Sequence, residues 1–284
     1  MSRTIDLMHL GQDRVIAAYD VDGVIVDPGP STCLDTLLGA LGDETPRALL
    51  LTHIHLDHAG ATGLLVRRFP DLKVYVHERG APHMVDPSKL LVSAAKLYGD
   101  DMERLWGEVA PVPEANVTVL SGGETVEGFR VAYTPGHANH HVSYLHESSG
   151  HCYTGDVGGV RIPPVDFTLP PTPPPDIDLE KWDRSLDVIE EWSPAALLPT
   201  HFGRVDGVGD HLARLREGIA KQGERSRAHG REAFIAATEE EIERAAGHER
   251  GVVESFVQAA PPDQLWQGLE RYWRKRAERE AAAR

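Results

Sequence analysis

The stretch Thr52-His53-Ile54-His55-Leu56-Asp57-His58-Ala59-Gly60 puts three imidazoles and a carboxylate into six consecutive positions. An apolar run, Ala48-Leu49-Leu50-Leu51, leads into it and reads as a buried strand, and the residues after Asp57 read as the start of an amphipathic helix that stops at Pro70. The ligand-type side chains therefore sit on a strand-to-helix turn, an element of layered α/β folds. Imidazole nitrogen and carboxylate oxygen suit a borderline-soft divalent cation, and four such groups in six positions exceed what one ion takes from a local segment. His53 and His55 are two apart and point to one side if the strand geometry persists, whereas Asp57 and His58 fall where the chain turns. Two adjacent metal sites are the natural reading.

The same arrangement, an apolar strand ending in a ligand type, recurs along the chain. Val15–Tyr19 and Val24–Val26 flank Asp22-Gly23, a hairpin signal, and the second strand ends at Asp27 before Pro28-Gly29-Pro30. Asp27 is either a contact of the metal-binding loop or a plain turn residue. Ser31 is placed to cap a helix running to about Leu41, with Gly42 ending it. Leu72–His77 is a further strand, and 80–107 is mostly helical, with Leu90, Leu91, Ala94, Leu97 and Tyr98 on one face that suits packing better than overhanging a pocket. Val117–Val119 and Phe129–Tyr133 lead to Thr134-Pro135-Gly136-His137-Ala138-Asn139-His140-His141, where an imidazole stands at the tip of a strand-end turn. A hairpin through Ser148-Ser149-Gly150 leads to Asp156 at the end of another strand, and Ala195–Pro199 ends in Thr200-His201.

Two stretches lie outside this rhythm. Seven prolines fall within 163–175, making a stiff extended segment that serves as a pocket rim or as a connecting loop. After a helix capped by Asp178 and the strand before His201, residues 205–284 carry no strand signal. Helices are expected at about 210–228, at 238–246 with Thr238 and Glu241 as a capping box, and at 262–280. The division is thus a catalytic domain at 1–204 and a helical extension at 205–284. The last helix has an apolar face of Leu265, Leu269, Tyr272 and Trp273 and a basic one of Arg271, Arg274, Lys275, Arg276 and Arg279. It is expected to pack on the acidic half; a carboxylate- or phosphate-bearing substrate meeting its basic face is the less favoured alternative.

Charge narrows the partners. The net charge of -15 resides almost wholly in the first 204 residues, and an acidic surface cannot release counterions from a polyanion, so nucleic acid is disfavoured. No apolar run reaches the length of a membrane span and the N-terminus lacks a signal-peptide core, which gives an expectation of a cytoplasmic protein with no membrane partner. Cys33 and Cys152 form no framework and read as buried. A homo-oligomer is left open.

Taken in chain order, Thr-His-x-His-x-Asp-His, Thr-Pro-Gly-His, Gly-Asp and a strand-end histidine closely resemble the metallo-β-lactamase superfamily, from about residue 15 to 203, and its glyoxalase II and lactonase-like members with a C-terminal helical extension. The resemblance implies a four-layer αβ/βα sandwich. It implies one metal held by His53, His55 and His137, a second by Asp57, His58 and His201, and Asp156 bridging them, with zinc favoured and iron or manganese compatible. It further implies a hydrolase acting on an ester, thioester or lactone through a hydroxide held between the metals, with Asp57 orienting it and a small molecule as substrate. Alternatives within the resemblance are a phosphodiesterase acting on a nucleotide or RNA and a mononuclear-iron enzyme like the persulfide dioxygenases. Asp156 where many true β-lactamases have cysteine or no bridge argues against antibiotic hydrolysis, and His55 where flavodiiron proteins have glutamate argues against oxygen reduction. Ala138 and His140 depart from the Thr and Gly that usually follow in glyoxalase II. His141 is then a hydrogen-bonding neighbour of the ligands, and His140 a pocket or a surface residue.

Overall fold

The computed structural model describes residues 2–283. Two β-sheets face each other with helices on both outer sides. One sheet has six strands in chain order, Ser2–Asp6, Ala17–Val21, Val24–Val26, Ala48–Leu50, Lys73–His77 and Val117–Leu120. Its first three are antiparallel, the rest parallel. The second runs Ala196–Leu198, His151–Tyr153, Val142–His146, Phe129–Tyr133, Thr125–Val126, antiparallel except where His151–Tyr153 lies parallel to Ala196–Leu198. This is the layered α/β architecture expected from the sequence.

Why the sheets pair face to face is visible in which residues they bury. Ala17–Val21 is buried at every position, as a strand covered on both faces must be. Tyr19, Val26, Leu50, Phe129, Tyr144 and Tyr153 form the apolar layer between the sheets. On the outer face of the first sheet, Leu37, Leu41, Leu65 and Val66 come from helices Leu34–Leu41 and Thr62–Arg68. On that of the second, Trp182, Leu186 and Ile189 of helix Leu179–Glu191 share one core with Leu212, Phe234, Phe256 and Leu269 of the C-terminal helices. Each such side chain contributes on the order of 1.5–3 kcal/mol by leaving water.

Register then fixes the site. In the first sheet Val26 is level with Leu50, and Leu50 with Tyr75; in the second, Tyr153 is level with Leu198. The strands that end before Asp27, Thr52, Asp156 and Thr200 therefore finish at one edge. There the sheets are clasped by Ala17 N–H to Thr200 C=O at 2.8 Å, Val142 N–H to Thr52 C=O at 2.8 Å, and the Tyr144 hydroxyl to Leu51 C=O at 2.8 Å.

The hairpin turn at Asp22-Gly23 is present, both residues with positive φ, and Asp178 caps its helix by accepting from Lys181 N–H at 3.1 Å. Several expectations are corrected. Ser31 does not cap: it opens a short 3₁₀ turn, and its single hydroxyl proton is shared between Gly60 C=O at 3.0 Å and Glu108 C=O, tying two loops together. Thr238 lies inside helix Arg231–Ala245, where its hydroxyl bonds back to Phe234 C=O at 2.8 Å, so the capping box does not form; Glu241 instead pairs with Lys221 and Arg225. A helix at Arg250–Ala259 separates this one from Pro262–Ala282. Helix Ser88–Tyr98 has no fully buried residue, but Leu90 packs against the outer core of the first sheet and Tyr98 against Trp106, so it is a peripheral packing helix. Both cysteines are buried, and no helix among the described residues is long and apolar enough to cross a membrane.

Candidate metal centre

All seven ligand-type residues singled out in the sequence converge at the shared strand edge. They fall into two groups, His53, His55, His137 with Asp156, and Asp57, His58 with His201, the ligand atoms within each lying inside 4.8 Å of one another. Asp156 faces both. Its Oδ2 is 3.2 Å from His137 Nε2, while its Oδ1 is 3.0 Å from His58 Nε2 and 3.4 Å from His201 Nε2.

The other ring nitrogens settle which atoms face inward. His58 Nδ1 donates to Asp27 Oδ2 at 2.8 Å, His137 Nδ1 to Pro171 C=O at 2.9 Å, and His201 Nδ1 to Val15 C=O at 2.5 Å. Thr52 Oγ1 gives its proton to Asp27 Oδ2 at 2.7 Å, so at 3.1 Å it accepts from His53 Nδ1. In each ring this leaves an Nε2 lone pair aimed at the centre. His55 reverses the pattern, its Nδ1 lying 3.0 Å from both His53 Nε2 and His137 Nε2. With a proton on Nδ1 the His55 ring donates to these nitrogens; with the proton on Nε2 its lone pair completes a set of three facing one point, the arrangement a cation takes. Likewise His58 Nε2, His201 Nε2 and Asp156 Oδ1 are buried with no hydrogen-bond partner among the described residues. The donor set and its orphaned atoms fit divalent cations, one per group.

Electrostatics distinguish the two groups, pushing His53 and His55 toward the neutral form and His58 and His201 toward a proton that a cation would have to displace. Burial, reinforced by neighbouring imidazoles, pulls His53 well down and His55 to about 3, holding them in the neutral form a metal requires. Burial acts to raise Asp57 and Asp156, but His58 and other facing imidazoles outweigh it and keep both carboxyls ionised. Burial also pulls on His58 and His201, yet the carboxylates of Asp156 and Asp57 prevail and raise both.

Supporting residues hold this geometry. Asp27, fully buried, additionally accepts from Thr52 N–H and from the Thr200 hydroxyl, each at 2.8 Å, so it contacts the metal-binding loop and is more than a turn residue. The turn Gly155–Gly158 that carries Asp156 is held by Trp182 Nε1 to Val157 C=O at 3.0 Å and by His211 Nε2 to Gly158 C=O at 2.7 Å. A side chain at Gly155 would bring a Cβ within 2.5 Å of Thr52 Oγ1 and 2.7 Å of His141 Nε2, and one at Gly136 within 2.3 Å of the Trp182 backbone, so both positions need glycine. His141 is buried and hydrogen-bonds Thr134 Oγ1 at 2.9 Å, as a neighbour of the ligands would. His140 is half-buried beside the ligand groups, its ring stacked 6.1 Å from that of His53, and does not line the cavity above them.

Over the two groups lies a cavity of about 100 Å³ that reaches His55, Asp57 and Asp156. One wall is Tyr98, Leu105 and Trp106, so the 80–107 segment overhangs the site. A second is Pro171 and Pro173, which makes the proline-rich segment a rim and, through Pro171 C=O, a holder of His137. The third is Gln258 to Leu265, from the junction of the last two helices. The basic part of the last helix is not at the cavity: Arg274 pairs with Glu270, and Arg276 with Glu180 and Glu280.

Sequence reading missed His9, also in the cavity wall. It stacks on Trp106 at 5.4 Å and 8°, with Nε2 at 2.9 Å from Leu105 C=O and Nδ1 at 3.0 Å from Gln258 Nε2. Its only sequence signal is a histidine beside Leu10-Gly11, which carries no ligand spacing.

Comparison with known proteins places this geometry. The family model of the metallo-beta-lactamase superfamily matches residues 15–201, and the chain belongs to that superfamily. It is 32% identical over 176 residues to the metallo-beta-lactamase fold-containing protein ST1585 of Sulfurisphaera tokodaii, covering 59% of this chain and 65% of that protein. It is also 32% identical over 143 residues to a hydroxyacylglutathione hydrolase of Xanthomonas campestris pv. campestris, covering 50% and 44%. The chain thus spans under two thirds of the length of each. The crystal structure of ST1585 from Sulfolobus tokodaii superimposes with a TM-score of 0.65 at 27% identity, covering 76% of this chain and 85% of that one. TTHA1623 in a di-iron-bound form superimposes with a TM-score of 0.53 at 29% identity, covering 70% and 93%.

Proposed function

We propose that the protein is a dinuclear metal-dependent hydrolase of an ester, thioester or lactone. The observation that carries this reading is Asp156, whose two oxygens face two separate sets of ligand atoms. His53, His55 and His137 would hold one cation, Asp57, His58 and His201 the other, with Asp156 between them; zinc suits the nitrogen-rich donors, and the di-iron neighbour supports iron as the second choice. When bound, a pair of divalent cations supplies Lewis acidity, bringing the pKa of a shared water toward neutrality and polarising a carbonyl.

The chain's own residues do the rest. Asp57, which reaches the cavity, orients the water, while Thr52, Asp27, Pro171 and Val15 hold the imidazoles of His53, His58, His137 and His201 each in one tautomer. Tyr98, raised above its ordinary range by burial, stays protonated and is a hydroxyl donor beside the substrate. Water adds across the acyl–oxygen or acyl–sulfur bond, yielding an acid and an alcohol or thiol; no protein nucleophile is needed. The hydroxyacylglutathione hydrolase likeness supports a thioester. A phosphodiester is disfavoured, since no lysine or arginine is among the described residues lining the cavity. We read residues 1–204 as the catalytic domain and 205–284 as the extension that closes its pocket, acting on a small molecule in the cytoplasm, away from nucleic acid and membranes.

The test is metal content combined with a panel of thioesters, lactones and phosphodiesters. Two ions per chain and turnover of one of the first two classes, abolished by His58→Ala, are expected. Well under one ion per chain, or unchanged hydrolysis in His58→Ala, would overturn the reading.

A further inference from the structure

We infer that the cavity over the metal centre is a subsite for a short, uncharged acyl group, and that the junction of the last two helices, at Gln258 to Leu265, sets its length. This rests on the hydrolase reading and names its substrate class.

The walls away from the ligand groups are apolar and stiff. Trp106 is flanked by His9 on its face and by Tyr98 at its edge, 5.0 Å away and inclined at 73°. Opposite stand Leu265 and the proline-rich rim, joined where the Thr172 hydroxyl donates to Leu265 C=O at 3.1 Å. His9 spends both ring nitrogens on Leu105 and Gln258 and offers the cavity a neutral ring face. Gln258 in turn donates to His9 C=O at 2.9 Å, which fixes the helix Arg250–Ala259 against the N-terminal loop. Beyond the ligand groups the polar contributions are therefore neutral: the amides of Gln258 and Gln264, the phenol of Tyr98 and the indole N–H of Trp106, which is buried without a partner among the described residues.

Two consequences follow. A second carboxylate on the acyl group would leave water and meet no cationic side chain, a cost that buried unpaired charge always carries. And at about 100 Å³ the cavity is smaller than the roughly 150 Å³ apolar cavity that admits benzene, so the enclosed group is a few carbons long or a small lactone ring. Leu265, nearly fully buried in the cavity wall, comes from the extension, so this part of the chain, outside the matched family region, limits how far the acyl group reaches.

The experiment has two arms. In the first, kcat/KM is measured on the metal-loaded protein for a series of neutral straight-chain acyl thioesters and for matched substrates ending in a carboxylate, such as butyryl against succinyl. The expected result is a rise of about four-fold per methylene up to a short optimum, with the carboxylate-bearing partner at least ten-fold poorer. Leu265→Ala should shift the optimum longer, and Gln264→Arg, at a half-buried position in the cavity wall, should narrow the gap between succinyl and butyryl. In the second arm, NMR follows the backbone amides of Ala259, Ala260 and Leu265 on titration with butanamide, a short neutral amide, and with succinamate, its analogue carrying a terminal carboxylate. Shifts with the first and none with the second support the subsite even if no ester is turned over, an outcome that would sink the hydrolase reading alone. Hydrolysis with succinyl within two-fold of butyryl, or with a length profile unmoved in both variants, would overturn the subsite and leave the hydrolase reading intact.

Discussion

Asp27 and His58, thirty-one residues apart, meet through Oδ2 and Nδ1 at 2.8 Å with neither side chain exposed to solvent. The same side chain takes the Thr52 amide and the hydroxyls of Thr52 and Thr200, so one buried carboxyl group fixes two of the chain ends that carry candidate ligands, the 52–58 turn and the Thr200-His201 end. Asp27→Ala should therefore weaken metal binding at the group of Asp57, His58 and His201 by about 10–100-fold, as loss of a partner to a ligating histidine does. It should also cost about 1–3 kcal/mol for each donor left buried without an acceptor. Competition titration against a chelator, with thermal melting alongside, measures both; unchanged affinity would show that Asp27 serves the fold alone.

Removing the metals tests the coupling of site to fold. Because the ligands join both sheets, a cation that binds only the folded chain stabilises it by mass action, about 2.7 kcal/mol at a hundredfold excess over Kd. Chelation should lower Tm, and readdition should restore it. A melting curve indifferent to chelator would indicate that the ligand groups hold no ion.

His211 lies in the helix Val208–Ala228, outside the matched family region, yet its Nε2 bonds the Gly158 carbonyl two residues from Asp156. His211→Ala should loosen the turn that carries Asp156, weakening metal retention and lowering kcat more than it raises KM. His211→Gln, which keeps a donor, should recover part of the loss. Equal metal retention in both variants would restrict His211 to packing.

Glu241 supplies a pH-dependent term. Burial acts to raise it, but hydrogen bonds from Lys221 at 2.5 Å and Arg225 at 2.6 Å prevail and lower it from 4.5. A carboxyl depressed in the folded state contributes stability that is present above its unfolded value and lost as pH falls through the folded one. With Lys221 half exposed, the contribution is at most about 1 kcal/mol. The Tm difference between wild type and Glu241→Gln should be full above pH 4.5 and fade below it, which melting across that range would show.

How much of this is legible in the sequence depends on range. The candidate ligands could be read because most of them follow an apolar run that reads as a buried strand: Leu49-Leu50-Leu51 before His53, Leu197-Leu198 before His201. Parallel register then had to align their ends. The pocket wall could not be read in this way. His9, Trp106 and Gln258 are brought together by stacking and by two hydrogen bonds between segments nearly 250 residues apart, and none of them follows a periodic pattern that marks its neighbour. Thr238 misled for a related reason: Thr-x-x-Glu satisfies a capping box locally, but helix Arg231–Ala245 had already begun, and Glu241 found Arg225 and Lys221 across the helix pair.

The central claim is that Asp156 stands between two metal sites, and anomalous diffraction from metal-loaded crystals tests it most directly. Two peaks are expected, one bounded by His53, His55, His137 and Asp156 Oδ2, the other by Asp57, His58, His201 and Asp156 Oδ1. A single peak, with the group of Asp57, His58 and His201 lacking metal at saturating concentration, would contradict it.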